Sequence, residues 1–419
     1  MHAAPRAAPH PVVYTILTVP FGASSGFVSV ALAFLATKSG LTVEDGAGLV
    51  AASLFPNVWK FFWAPIADTT LTRRRWYLVA SGTVAATMFA MALVPLGPST
   101  LGLMKALVLA SSFAATFLGF AIEGLIAHVT PEDQRGRVSG WFQAGNLGGS
   151  GLGGGLGLWL LQHAPAPWMA GLALASTLLL CATALFALPD VPAEPRGGSV
   201  VESVRHVAAD IWELARSRGG RLAAILCFVP IGTGAASGVL AQASVAAQWG
   251  AGEREVALVQ GLLTGFVAMA GCLAGGFACS RWLGGRAAYA AFGAAMAAST
   301  AIAAALPATV FVFVGFNLVY AFITGLSYAA FSAFVLDAIG AGHAATKYNG
   351  FASLSNAPIW YTGLLLARAE TTWGPRGMLL AETALGVLGL ALFGLATRVV
   401  RDPSAKRPQS DPPIEVDRP

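Results

Sequence analysis

Long apolar runs separated by short polar stretches dominate the chain. Twelve of these runs have the length and character of membrane-crossing helices. They fall at 12–36, 44–67, 75–96, 100–127, 137–162, 168–188, 222–248, 255–282, 286–306, 309–339, 346–369 and 376–397. A crossing helix takes ~20 mostly apolar residues at a rise of ~1.5 Å each. The one long break in the pattern is 189–221, which opens on Pro189, Pro192, Pro195, Gly197 and Gly198. Within it Val200, Val204, Val207, Ile211 and Leu214 recur at helical spacing against Glu202, Arg205, Asp210, Glu213 and Arg216. That spacing predicts an amphipathic helix lying along the membrane surface.

The break leaves six runs on each side. The expected organisation is all-α: an N-terminal six-helix bundle at 1–188, a linker at 189–221, a C-terminal six-helix bundle at 222–398, and a tail at 399–419. The tail is rich in proline and charge and reads as disordered.

Composition agrees with a membrane protein. Hydrophobic residues make up 56% and charged residues 11% of the chain, and mean hydropathy is +0.67. A soluble enzyme of this length needs far more charge to cover its surface. The formal net charge of +5 does not point to nucleic acid, because the basic residues are scattered among apolar spans instead of forming a stripe. It points to topology. With both termini in the cytoplasm, 19 of the 25 Lys and Arg fall inside, including Arg73, Arg74, Arg75, Arg135, Arg137, Arg286 and Lys347. Four fall outside, namely Lys38, Arg254, Arg368 and Arg376, while Lys60 and Lys105 lie within spans. Such a split is the positive-inside signal. The four cysteines lie in apolar spans without metal-ligand spacing, so no metal, cofactor or disulfide framework is expected. The first span reads as an uncleaved helix.

The two halves repeat weakly. The loop after the second span carries Asp68 and Arg73–Arg75, and the loop after the eighth carries Arg281 and Arg286. The fourth span ends near Glu123 with Arg135 and Arg137 beyond it. The tenth ends near Asp337 with Lys347 beyond it. Parallel six-span repeats around a long central cytoplasmic loop are the signature of the major facilitator architecture.

Some stretches are more specific. Phe21-Gly-Ala-Ser-Ser-Gly26-Phe, then Val58-Trp-Lys60-Phe-Phe-Trp63-Ala-Pro65-Ile-Ala-Asp68, resembles the AmpG-type muropeptide permeases and the related acetyl-CoA transporters. Arg73-Arg74-Arg75-Trp76 and Pro131-Glu-Asp-Gln-Arg135-Gly add to the resemblance. It departs in the fourth span. Where those permeases carry two aspartates, this chain has Leu118 and Gly119 for the first and Glu123 for the second.

A charge within the hydrocarbon costs roughly 2.5–3.5 kcal/mol at a helix centre and defaults to a functional reading. Lys60 lies eight residues before Asp68, ~12 Å in from the cytoplasmic end, and Glu123 lies at similar depth. They read as a pair, with Glu123 a proton acceptor or Lys60 a binder of an anionic group, against the plainer reading of a structural ion pair or of Lys60 snorkelling to the interface. Lys105 reads as snorkelling, and Asp337 as a second proton-coupling candidate or a helix-end charge. Glu382, on a span that is usually peripheral, reads as snorkelling or structurally paired. Asn57, Gln143, Asn146, Asn317, Tyr320, Tyr328 and Asn356, with Tyr361, form the expected polar lining of a central cavity, although each alone can serve as an interhelical bond. Asp68 with Arg73, Arg74 and Arg75, Arg135 with Arg137, and Arg286 read as cytoplasmic gates. The glycine run 145–157 contains a G-x-G-x-x-G match inside a span, where no dinucleotide site can form; it reads as a close helix–helix seam.

The expectation is a non-enzymatic secondary transporter, monomeric, in a bacterial inner membrane among its lipids. Its partners would be a medium-sized polar solute and protons, without nucleic acid or cofactor. Import of a muropeptide or anhydro-sugar leads, followed by a siderophore and then efflux of a drug or metabolite. An intramembrane enzyme would need catalytic clusters in outer loops, which are short and hold an isolated His163. Reporter fusions at Arg398 and within 189–221 should both report a cytoplasmic location. A periplasmic signal at either would overturn the topology.

Overall fold

The computed structural model describes residues 9–129, 135–189, 227–339 and 353–399, with isolated positions between 201 and 216. Every regular element among these residues is helical. Hydrocarbon offers no partner to a free N–H or C=O, and a helix satisfies both within itself. Seven described helices are long and apolar enough to cross a membrane.

The elements before the linker are α1 (Val12–Lys38), α2 (Val43–Trp59), α3 (Arg73–Leu93), α4 (Leu101–Val129), α5 (Arg135–Gly151) and α6 (Pro167–Ala187). α5 runs on through a wide turn at Leu152–Leu156 into Gly157–His163. Thr42 caps α2. Its hydroxyl accepts from Asp45 N at 3.0 Å, and the Asp45 carboxylate accepts from Thr42 N at 3.2 Å. After the linker come two short helices, α7 (Ala236–Leu240) and α8 (Ala243–Gln248). Then follow α9 (Thr264–Ala278), entered through a wide turn at Val256–Leu263, α10 (Gly284–Ala305) and α11 (Val310–Ile339). The stretch Asn356–Val399 closes the described chain.

Two of the long helices are reversals. Glu253–Ala305 covers 53 residues, ~80 Å if straight, against a hydrocarbon core of ~30 Å. It turns at Gly284, where φ is 67°. Gly275 on one arm abuts Leu326 of α11, and Gly285 on the other abuts Phe334. The arms therefore lie side by side on α11. Asn356–Val399 likewise turns at Gly374, with φ 72°, giving α12 (356–373) and α13 (375–399).

The span expected at 222–248 is not a continuous helix. Residues 227–235 form turns and bends, with φ of 60° at Gly232 and 68° at Gly234, and α7 and α8 follow as separate pieces. Pro230 supplies no N–H, and the two glycines hold backbone that other residues resist. Three tyrosines bind the freed backbone. Tyr361 donates to Phe228 O at 2.7 Å and Tyr289 to Ile231 O at 3.3 Å, while Ala236 N donates to the Tyr320 hydroxyl at 3.2 Å.

The glycines of α5 serve two faces. Gly145, Gly149 and Gly153 lie against the α1 backbone at Thr15, Val19 and Ala23. Gly151 and Gly155 face the turn before α9, where an added methyl at Gly155 would sit 2.6 Å from Ala257 O. Glycine spacing thus lets backbones on both sides of the linker meet across α5.

Of the linker, Arg216 lies with its guanidinium 5.0 Å from the Trp212 ring centroid. The rest of the expected amphipathic helix, the 399–419 tail apart from Val399, and the loop at 131–134 lie outside the described residues. Gly155→Val should lower the thermal unfolding temperature, with an overpacking cost of about 1–3 kcal/mol. Gly148→Ala, with no atom within 4 Å of the added methyl, should unfold like the parent.

Candidate functional site

A cavity of about 230 Å³ lies between elements from the two sides of the linker. α1 lends Ser25 and Ser29, α2 lends Ser53, and α5 lends Ser150. From the other side come Thr233 and Ser237 at the interrupted helix, Thr324 and Tyr328 on α11, and Trp360 on α12. Apolar Val50, Leu54 and Ile359 fill the wall between them. Among the described residues, no Asp, Glu, Lys or Arg lines it. Ser53 and Thr324 donate back to their own helices, to Val50 O and Tyr320 O, both at 2.8 Å. Their lone pairs stay available to a donor in the cavity. The arrangement suits a neutral solute with several hydroxyls and a flat or apolar face for Trp360 and Tyr328.

Of the residues expected to line a cavity, Tyr328 does so. The others are engaged between or within helices. Asn57 donates to Ser112 on α4 at 3.3 Å and to Ser53 O at 3.2 Å. Asn146 donates to Gln143 at 3.2 Å, one turn away on α5. Asn317 is buried, accepts from Gln260 before α9 and donates to Phe313 O. Tyr320 donates to Glu382 of α13, and Asn356 donates to Ser353 O. In hydrocarbon an amide without a partner is costly, so interhelical bonding takes these groups first. Serine and threonine lining leaves little trace in hydropathy. Ser25–Ser29 on α1 and Thr324–Tyr328 on α11, each pair four apart on one helix face, are sequence signals that could have found it.

Lys60 and Glu123 lie together, with Nζ 3.8 Å from Oε1 and Lys60 over the Phe120 ring. The pair sits about two turns along from the cavity residue Ser53, ~10 Å by helical rise. It continues a polar seam between α2 and α4 that also holds Trp63 Nε1 donating to Thr116 at 2.9 Å. Glu382 is 5% exposed and does not snorkel.

Of the expected gates, Arg74 donates to Leu188 O at the end of α6, and Arg73 lies beside Gly124 of α4. Both contacts stay on the N-terminal side of the linker. Arg75 and Arg286 are exposed. The side chains of Asp68, Arg135, Arg137 and Asp337 lie outside the described residues. Among the described residues, the hydrogen bonds and ion pairs that cross between the two sides gather instead at the end the charge count assigns to the outside. There Lys38 meets Glu253 at 3.1 Å and Arg368 meets Glu44 at 2.8 Å, while Gln162, on the same side as Lys38, accepts from it at 2.9 Å. Gln242 also donates to Val43 O at 3.1 Å, and Ser244 N to Thr37 at 3.3 Å. The sequence marked Lys38 and Arg368 only as two of the few basic residues outside, and did not single out Glu44 or Glu253.

Lys60→Met alone leaves Glu123 without its cation, whereas Lys60→Met with Glu123→Gln removes both charges. Thermal unfolding of the parent, both single variants and the double variant should give a coupling of about 0.5–3 kcal/mol. Strictly additive losses would mean that the two residues act independently.

No curated protein matches the chain in sequence. Its fold is similar to the crystal structure of the nucleoside transporter NupG, at 14% identity over 92% of this chain and 98% of that one, with a TM-score of 0.66. A D-xylose-proton symporter is similar at 14% identity over 91% and 96%, with a TM-score of 0.67. Identity this low carries the fold and not the substrate. The family profile of the Major Facilitator Superfamily matches residues 14–360, and the chain belongs to that superfamily.

Proposed function

We propose that the chain is a secondary transporter that carries a small, neutral, hydroxyl-rich solute across the bacterial inner membrane by alternating access. The observation that carries this reading is the uncharged, hydroxyl-lined cavity of about 230 Å³ between the two sides of the linker. Sites for drug-sized ligands occupy roughly 300–1,000 Å³, so this one fits a solute nearer the size of a single sugar or nucleoside. The contacts of Lys38, Glu44, Glu253 and Arg368 close one end, as a rocking mechanism requires in one of its states. The reversals at Gly284 and Gly374 favour twelve crossings, arranged as six-helix pseudo-repeats at 1–188 and 222–398 with both termini cytoplasmic.

The solute chemistry narrows the resemblance to the AmpG-type branch. A muropeptide brings peptide carboxylates, and the described cavity wall holds no cation for them. The anhydro-sugar end of that range suits the hydroxyls and the Trp360 face. Nucleosides and D-xylose, named for the two similar structures, are likewise neutral and hydroxylated. Proton coupling through Glu123, with Asp337 as second candidate, belongs to the same proposal.

The test is counterflow in proteoliposomes holding the full chain. Labelled D-xylose, uridine, an anhydro-sugar and a muropeptide are offered in turn. At least one neutral solute should exchange, and Trp360→Ala should cut its exchange roughly tenfold or more, as loss of a stacking contact of ~1.4 kcal/mol would. Exchange confined to the muropeptide would overturn the reading.

A further inference from the structure

The C-terminal side of the linker holds a buried acid that the solute cavity does not use. Glu382 of α13 is 5% exposed, and its Oε1 accepts from the Tyr320 hydroxyl. That hydroxyl in turn accepts from Ala236 N, the first residue of α7. The other carboxyl oxygen, Oε2, is buried and has no hydrogen-bond partner among the described residues, and the same holds for the Thr362 hydroxyl of α12. Both residues border one small pocket of about 10 Å³, closed by Pro230, Gly232 and Thr233. A pocket of that size has room for a single water. Thr233 lines this pocket and the solute cavity alike.

The surroundings of Glu382 hold no cation among the described residues. α10 presents Met296 and Ala297, α12 presents Thr362, and the interrupted stretch presents Pro230, Gly232 and Thr233. Among the described residues, the titratable group facing it is Tyr320 of α11. An ionised carboxylate here would be a buried charge without a counter-ion, which is strongly unfavourable. The neutral acid matches its partners. Oε1 accepts from Tyr320, and a proton on Oε2 can be donated to a water in the pocket that bridges it to Thr362.

We propose that Glu382, Tyr320 and Thr362 form a proton-binding site, reached from the solute cavity past Thr233, whose protonated form holds the interrupted stretch 227–236 in place. A hydronium in cavity water gives its proton to the carboxylate and leaves as water. The reverse step follows when the stretch moves and water reaches the carboxylate. Tyr320 ties the acid to α7 through Ala236, so the protonation state of Glu382 and the position of α7 are linked. The site is separate from Lys60–Glu123 and does not depend on which solute the cavity takes.

The test needs no solute. Infrared difference spectra of the full chain in proteoliposomes are taken between acidic and alkaline buffer. The parent should lose a protonated-carboxyl C=O band on alkalinisation, and Glu382→Gln should lack that band. Thermal unfolding gives the second readout. Ionising Glu382 costs the folded state, so Glu382→Gln should unfold above the parent in alkaline buffer, with the gap closing in acid. An identical band loss in Glu382→Gln, or a gap that ignores pH, would overturn the proposal. If Glu382→Gln does not fold, Tyr320→Phe and Thr362→Val keep the carboxyl and should each shift its band. An unshifted band in both would overturn the proposal equally.

Discussion

Backbone groups in hydrocarbon must find partners within the protein, and this constraint decides where the chain can leave the helix. At 227–235 it does so inside the bundle. Tyr361 from α12 and Tyr289 from α10 donate to the Phe228 and Ile231 carbonyls, and Tyr320 from α11 accepts from Ala236 N. Three different helices thus replace the intrahelical bonds that Pro230, Gly232 and Gly234 give up. The consequence reaches the site. Because the stretch is not a helix, Thr233 can border both the solute cavity and the Glu382 pocket.

The membrane class and family architecture were legible because they rest on sums over many residues. Twenty apolar positions, or nineteen charges assigned to one side, survive the loss of any one of them. The cavity rests on single side chains and was mostly not legible. Asn57, Asn317 and Tyr320 look like solute ligands in a list, yet each has a buried partner on another helix. Ser25, Ser29 and Ser150 look like filler in an apolar run, yet they line the cavity. Which face of a helix turns inward depends on partners far away in sequence, and hydropathy carries no record of that. The interruption at 227–235 was concealed for the same reason. Its residues are apolar enough to extend a span, and only Pro230 with Gly232 and Gly234 hinted at a break. Lys60 with Glu123 is the exception. A charge at such depth demands a partner, and similar depth was enough to suggest which acid lay near.

The charges divide by burial. Lys38–Glu253 and Glu44–Arg368 are largely exposed, with side-chain exposures of 47% and 27% for the first pair and 72% and 43% for Arg368 and Glu44. Exposed pairs contribute about 0–1 kcal/mol each. They set the register of the two sides at that end without locking it. Glu382 is the opposite case. It is buried, tied to α7 through Tyr320, and cannot change charge without cost to the packing around it.

In the alternating access proposed above, an end that closes must reopen and cannot rest on strong contacts, and the seam along α5 is consistent with this. Gly145, Gly149 and Gly153 sit on α1, within the N-terminal side, while Gly151 and Gly155 meet the turn before α9 on the other side. Glycine faces bring backbones close but interlock no side chains, so sliding one across another disrupts little packing. Weak exposed pairs at one end and a smooth seam through the middle leave the buried, tyrosine-held stretch beside Glu382 as the element with the most to lose when the sides move. In the movement proposed above, control falls to the interrupted helix, which three helices hold through tyrosines, rather than to the exposed charged rim.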